Sequence, residues 1–143
     1  MTNTGNKSFD LTVQKTNEWL NNIKEELQWE SKDDVYIATK AVLQTLRDRL
    51  PIDEAIHLAE QLPMLMKGMY YEGYKPRGKP EKMSENGFYR TINDRIVNKE
   101  IDPESAAKAI IKIIYLKIGK GEFDDIKSNM PSDIQTMIAE AGV

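Results

Sequence analysis

The chain has 143 residues, 40% of them hydrophobic and 30% charged, with a formal net charge of −3, a length suited to one domain that buries roughly two-thirds of its unfolded surface. That balance excludes global disorder, and the mild negative charge argues against a general electrostatic grip on nucleic acid or anionic membrane. No cysteine is present, which removes disulfides, thiolate metal sites and thiol nucleophiles together.

Apolar residues recur with a helical period almost throughout. Val13, Leu20, Ile23 and Leu27 predict an amphipathic helix over about 10–28, with Ser8 or Asp10 available as its cap. Ser31-x-x-Asp34 then resembles a capping box, and Val35, Ala38, Val42, Leu46 and Leu50 form the stripe of a second helix. Pro51 ends it, because proline lacks the amide donor and clashes with the preceding turn. A short third helix carries Ala55, Leu58 and Leu62, with Asp53 as its expected cap. Pro63 ends that helix and opens a fourth segment from Met64 to about Tyr71.

Beyond residue 83 the plan recurs. Phe88, Ile92 and Ile96 mark a helix, and Asp102-Pro103 places a capping carboxylate before a proline suited to the first helical position. Ala106, Ile110, Ile113, Ile114 and Ile118 form its successor's stripe, broken by Gly119 and Gly121. Phe123, Ile126 and Met130 line a short helix. Pro131 is expected to start the last one, with Ile134, Met137 and Ile138.

Sliding the sequence by 68 positions superposes residues 38–72 on 106–140 without a gap. Leu62-Pro63 falls on Met130-Pro131, Lys40 on Lys108, Glu54 on Glu122 and Glu72 on Glu140. Self-similarity at one fixed offset is evidence of a repeated unit. The expected fold is therefore all-α, a helical bundle of two tandem pseudo-symmetric multi-helix repeats in one domain over 1–143. Repeat one covers about 9–73, a Gly/Pro-rich linker about 74–83, and repeat two about 84–142. Each unit is too small to bury its own apolar face well, so the two should share a core.

The linker region begins with Tyr70-Tyr71-Glu72-Gly73-Tyr74-Lys75-Pro76-Arg77. With the preceding Gln61-Leu62-Pro63, this segment resembles the LP-hydrophobic-GxYYEGW-x-P signature of the bacterial family called domain of unknown function 2267. Leu46-Arg47-Asp48-Arg49-Leu50-Pro51, Glu54-Ala55 through Leu58, and Lys79-Pro80 resemble further elements of that family. Tyr74 stands where the family usually has tryptophan. The resemblance covers about residues 10–141 and implies a small all-helical prokaryotic domain with no assigned activity and no catalytic residue to transfer.

The residues offer no convergent catalytic set. His57 is the single histidine. Glu54-x-x-His57 is one half of the pattern that carboxylate di-metal bundles use, and its equivalent, Glu122-x-x-Asp125, supplies no second imidazole. Glu54, His57 and Gln61 share the side of their helix away from Ala55, Leu58 and Leu62, which predicts a solvated histidine and no metal site. Glu25-Glu26, Asp33-Asp34 and Asp124-Asp125 read as polar helix faces or helix starts, where acids complement the macrodipole. Lys40 and Lys108 suggest aliphatic stems lying over the repeat interface. No dinucleotide or phosphate-loop motif is present.

The expectation is a non-enzymatic helical module, without cofactor, that binds an unknown protein partner or itself. Its candidate binding residues are Tyr71, Glu72, Gly73, Tyr74, Lys75, Pro76 and Arg77, whose aromatics could anchor a partner or simply fasten the linker to the bundle. The alternative is a small-molecule or metal-dependent activity in a pocket between the repeats, built on Glu54 and His57. Nucleic-acid binding rests only on Lys75, Arg77, Lys79 and Lys82. Residues 1–10 lack the layout of a signal peptide and no apolar run approaches about 18 residues, so a cytoplasmic protein without membrane contact is expected.

Overall fold

In the computed structural model, which describes residues 3–96, 100–128, 130 and 132–142, the helical period is realised as eight helices. These are α1 (Lys7–Leu27), α2 (Lys32–Arg49), α3 (Ile52–Glu60), α4 (Met64–Tyr71), α5 (Glu85–Arg95), α6 (Pro103–Ile118), α7 (Lys120–Ser128) and α8 (Ser132–Glu140). There is no strand among the described residues, so the chain is an all-α bundle. Pro131, expected to open the last helix, lies outside the described residues.

Helix starts follow local chemistry. Ser31 accepts the Asp34 amide at the start of α2, Ser84 that of Gly87 for α5, and Asp102 that of Ser105 for α6. Each satisfies a donor that the first turn leaves without an intrahelical partner. Three expectations need correction. The cap of α1 is Asn6, which accepts from the Ser8 and Phe9 amides, while Asp10 is turned back to accept from Thr4. Asp53 does not cap α3; it lies inside the first turn, after Pro51, and no side chain caps that end. Gly121 does not break the chain either, since α7 runs through it. Gly119 alone makes the break, at φ 89° and ψ 159°, a conformation essentially confined to glycine.

One apolar core draws on all eight helices, among them Ile23, Val42, Ala55, Met66, Ile92, Ile110, Phe123 and Ile134. Burying each larger side chain contributes about 1.5–3 kcal/mol. α2 and α6 lie against one another at the centre. Their stripes, Ala38, Val42 and Leu46 on one and Ala106, Ile110 and Ile114 on the other, are at most 2% exposed.

Helix positions also recur at the offset of 68. α3 shifted by that amount falls on residues 120–128, the span of α7; α2 and α4 likewise fall on α6 and α8, and the ends of α1 and α5 correspond. Exchanging α1–α4 for α5–α8 also conserves most of the packing: α1 on α6 becomes α5 on α2, α1 on α2 becomes α5 on α6, and α2 on α4 becomes α6 on α8. α3 on α4 and α6 on α7 are exceptions. No helix among the described residues is long and apolar enough to cross a membrane.

Candidate functional site

The last turn of α4 and the segment that follows it are held by the end of α2. Gln44 donates from Nε2 to the Met69 carbonyl at 2.9 Å, and Arg47 Nη1 donates to the carbonyls of Tyr70 and Glu72, each at 2.9 Å. The Arg47 guanidinium also stacks 5.1 Å from the centre of the Tyr74 ring, where a cation meets the negative face of the aromatic. Further along, the Glu81 amide donates to the Asp48 carbonyl and Arg49 Nε to that of Met83.

Asp48 is the hub. Its carboxylate is 4% exposed and accepts from Arg47 Nε at 2.9 Å and from Arg95 Nη2 of α5 at 2.5 Å, with Lys79 Nζ 3.7 Å away. Burial alone works to raise its pKa, but the hydrogen bonds and charges of Arg47 and Arg95 outweigh it and hold the carboxyl below the ordinary range. Such a carboxylate is already saturated by cations and is a poor proton acceptor for a substrate. Arg95 Nη1 reaches Thr45 Oγ1 at 2.8 Å, and Thr45 in turn donates to the Ala41 carbonyl.

The expected binding residues separate into two groups on this frame. Tyr71 and Tyr74 are partly buried against the core, their rings 6.1 Å apart. Glu72, Gly73, Lys75, Pro76 and Arg77 are exposed, with Glu72 pairing Lys40 of α2. Gly73 turns the chain at φ 75°. Of the four basic residues, Lys79 keeps only 7% side-chain exposure between Asp48 and Glu81, so its charge is committed internally. Of the residues that do most of the holding, Arg47 and Asp48 belong to the family-like run at 46–51, which by itself names no partner for them, while Gln44 and Arg95 lie outside every motif.

His57 is not the solvated side chain that its helix face predicts. Nε2 lies 2.7 Å from Glu122 Oε2 of α7, and Nδ1 lies 3.6 Å from Glu54 Oε2 in its own helix. α7 packs on α3 and so covers a side that looks outward when α3 is considered alone. The hydrogen bond to Glu122 raises the imidazole pKa, burial opposes it, and the Glu54 charge adds to the rise. Among the described residues no group of three or more acidic or histidine side chains is arranged to hold a metal ion. The ammonium groups of Lys40 and Lys108 find their partners within their own halves: Lys40 pairs Glu72, and Lys108 pairs Glu104 at 3.1 Å and Glu140 at 3.3 Å. The Lys40–Glu72 and Lys108–Glu140 pairs are related by the offset of 68.

A third feature is an uneven surface. Phe9, Leu11, Tyr36, Ile52, Ile56, Met64 and Leu65 are exposed in the first half, against Leu116 in the second, among the described residues. The Leu65 amide donates to Thr12 Oγ1 at 3.0 Å, which sets the exposed start of α4 beside the part of α1 that carries Phe9 and Leu11.

A family model described as "Uncharacterized conserved protein (DUF2267)" matches residues 16–137. No curated protein matches the chain.

Proposed function

The chain belongs to the family of uncharacterized conserved proteins designated DUF2267, and since that membership brings no activity with it, we propose that the protein is a non-catalytic helical module, built of two copies of a four-helix unit, that binds a protein partner or another copy of itself through its first half. One observation carries this reading. Ile52, Ile56, Met64 and Leu65 are exposed by 39%, 42%, 57% and 47%, while the positions 68 residues later hold Lys120, Asp124, Ser132 and Asp133. The equivalent helices α7 and α8 form with polar residues there, so folding alone gives no reason for the apolar ones. Clustered apolar exposure of this kind is characteristic of contact surfaces.

The exposed linker residues, Glu72 through Arg77 with the outer edges of Tyr71 and Tyr74, form the second contact surface of this proposal. A bacterial setting belongs to the same proposal, on the strength of the family resemblance, and a cytoplasmic one on the N-terminal layout and the absence of a long apolar run.

The test is a fourfold variant that transfers the second half's residues onto the first: Ile52→Lys, Ile56→Asp, Met64→Ser and Leu65→Asp. Sedimentation velocity reads self-association, and quantitative affinity capture reads partners. The expected result is loss of self-association or of a defined, saturable partner while helicity and thermal midpoint stay unchanged. Lys75→Glu with Arg77→Glu examines the linker in the same assays. Wild-type protein that sediments as a monomer and captures nothing beyond what the fourfold variant captures would defeat the reading. Stoichiometric iron, zinc or manganese in protein purified without chelator would instead favour the metal-dependent alternative.

A further inference from the structure

His57 stands in α3 with one carboxylate at each ring nitrogen, Glu122 at Nε2 and Glu54 at Nδ1. Those two glutamates are 68 residues apart, so the ring sits between equivalent groups of the two halves. Position 125, the equivalent of 57, is aspartate, and the bridge is therefore made from one side only.

A neutral imidazole has one N–H and one lone pair. Placed between two carboxylates it can donate to one, and must then turn its lone pair toward the other. Only the imidazolium presents a proton to both. Glu54 Oε2 is closed off from solvent, so its charge acts on the ring with weak screening.

We propose that Glu54, His57 and Glu122 form a proton-operated clasp, in which the imidazolium ties α3 to α7 and loss of its proton slackens that tie. The pairing with Glu122 that raises the imidazole pKa agrees in direction. The stabilisation is in force below the unfolded-state value and is lost as pH rises through the higher folded-state value. The charged groups of the packed neighbours are few. α7 carries Lys120, Glu122, Asp124, Asp125 and Lys127, of which Glu122 reaches the ring and Lys120 is engaged by Asp124 at 2.9 Å. α4 carries only Lys67, and α3 itself adds Asp53, Glu54 and Glu60. The clasp thus has a net acidic setting that favours the protonated ring.

With a single histidine, a ring-selective NMR titration of the whole chain needs no assignment. The expected midpoint lies above the ordinary imidazole value of about 6.5, and Glu122→Gln lowers it. Glu122 is half exposed, so this variant should fold. Hydrogen exchange of α3 and α7 amides, corrected for intrinsic rate, should quicken several-fold between about pH 6 and about pH 8.5, and His57→Gln should abolish that response. A ring that titrates at or below the ordinary value, or an exchange response that is the same with and without the imidazole, overturns the proposal.

Discussion

Asp48 Oδ2 and Arg95 Nη2, 47 residues apart in the chain, meet at 2.5 Å. Through that contact the last turn of α2 grips the last turn of α5, across the boundary between the halves. The same carboxylate takes Arg47, which in turn holds the carbonyls of Tyr70 and Glu72 at the end of α4. One buried acid thereby joins two helices and the connection between them.

Asp48→Asn keeps the shape of this hub and removes its charge, leaving Arg47, Arg95 and Lys79 around a neutral amide. Breaking a buried ion pair from one side costs about 3–5 kcal/mol. Urea unfolding should show a loss of that order. A loss under about 1 kcal/mol would mean that the cations find water and that the hub contributes little.

The same group sets the acid limb of stability. Its pKa is lower in the folded chain than the ordinary value of 3.8, so its contribution is complete above that value and disappears as pH falls through the folded one. The wild type should lose stability steeply below about pH 4, and Asp48→Asn should lose less over the same interval. Parallel acid limbs for the two proteins would assign acid sensitivity to other carboxylates.

Tyr70 is 0% exposed and donates its hydroxyl to the Ala55 carbonyl at 2.7 Å, fastening α4 to α3. Tyr70→Phe removes that bond and keeps the ring, so a loss of about 1 kcal/mol in the unfolding midpoint is expected. The second half has Ile138 at the matching position and lacks the equivalent tie. An unchanged midpoint would show the hydroxyl to be dispensable.

Gln28 ends α1 in the left-handed region, at φ 57° and ψ 37°. A side chain there is strained, and glycine is not. Gln28→Gly should raise stability by about 0.5–1 kcal/mol, read from the thermal midpoint. A decrease would mean that the glutamine side chain has an unrecognised contact.

Most helix ends can be read from sequence because their signals are local. Ser31, Asp102-Pro103 and Pro51 each act within one turn of where they stand. The start of α1 is harder because Asn6, Ser8 and Asp10 are all capping types, and only the turn that brings Thr4 onto Asp10 selects among them. His57 is misread for a different reason: periodicity describes one helix, and the carboxylate that engages it arrives from another, 65 residues on. Asp48 stands inside a run of charges whose family resemblance assigns it no contacts. Its spacing of seven from buried Ala41 and three from buried Thr45 is the signal that places it inward. The exposed apolar residues of α3 and α4 are fully visible in sequence, but they acquire meaning only beside the polar residues at their offset positions.

The crossed pairing of α1 with α6 and α2 with α5 has a consequence for synthesis. While a ribosome is still adding residues 74–118, the greasy sides of the first two helices have only each other and α4 as cover, and the nascent half must wait, shielded or at risk of clumping, until α6 emerges. A stalled chain ending near residue 73 should therefore bind a hydrophobic dye far more strongly than the finished protein, and chaperone dependence should fall sharply once the tunnel has released Ile118.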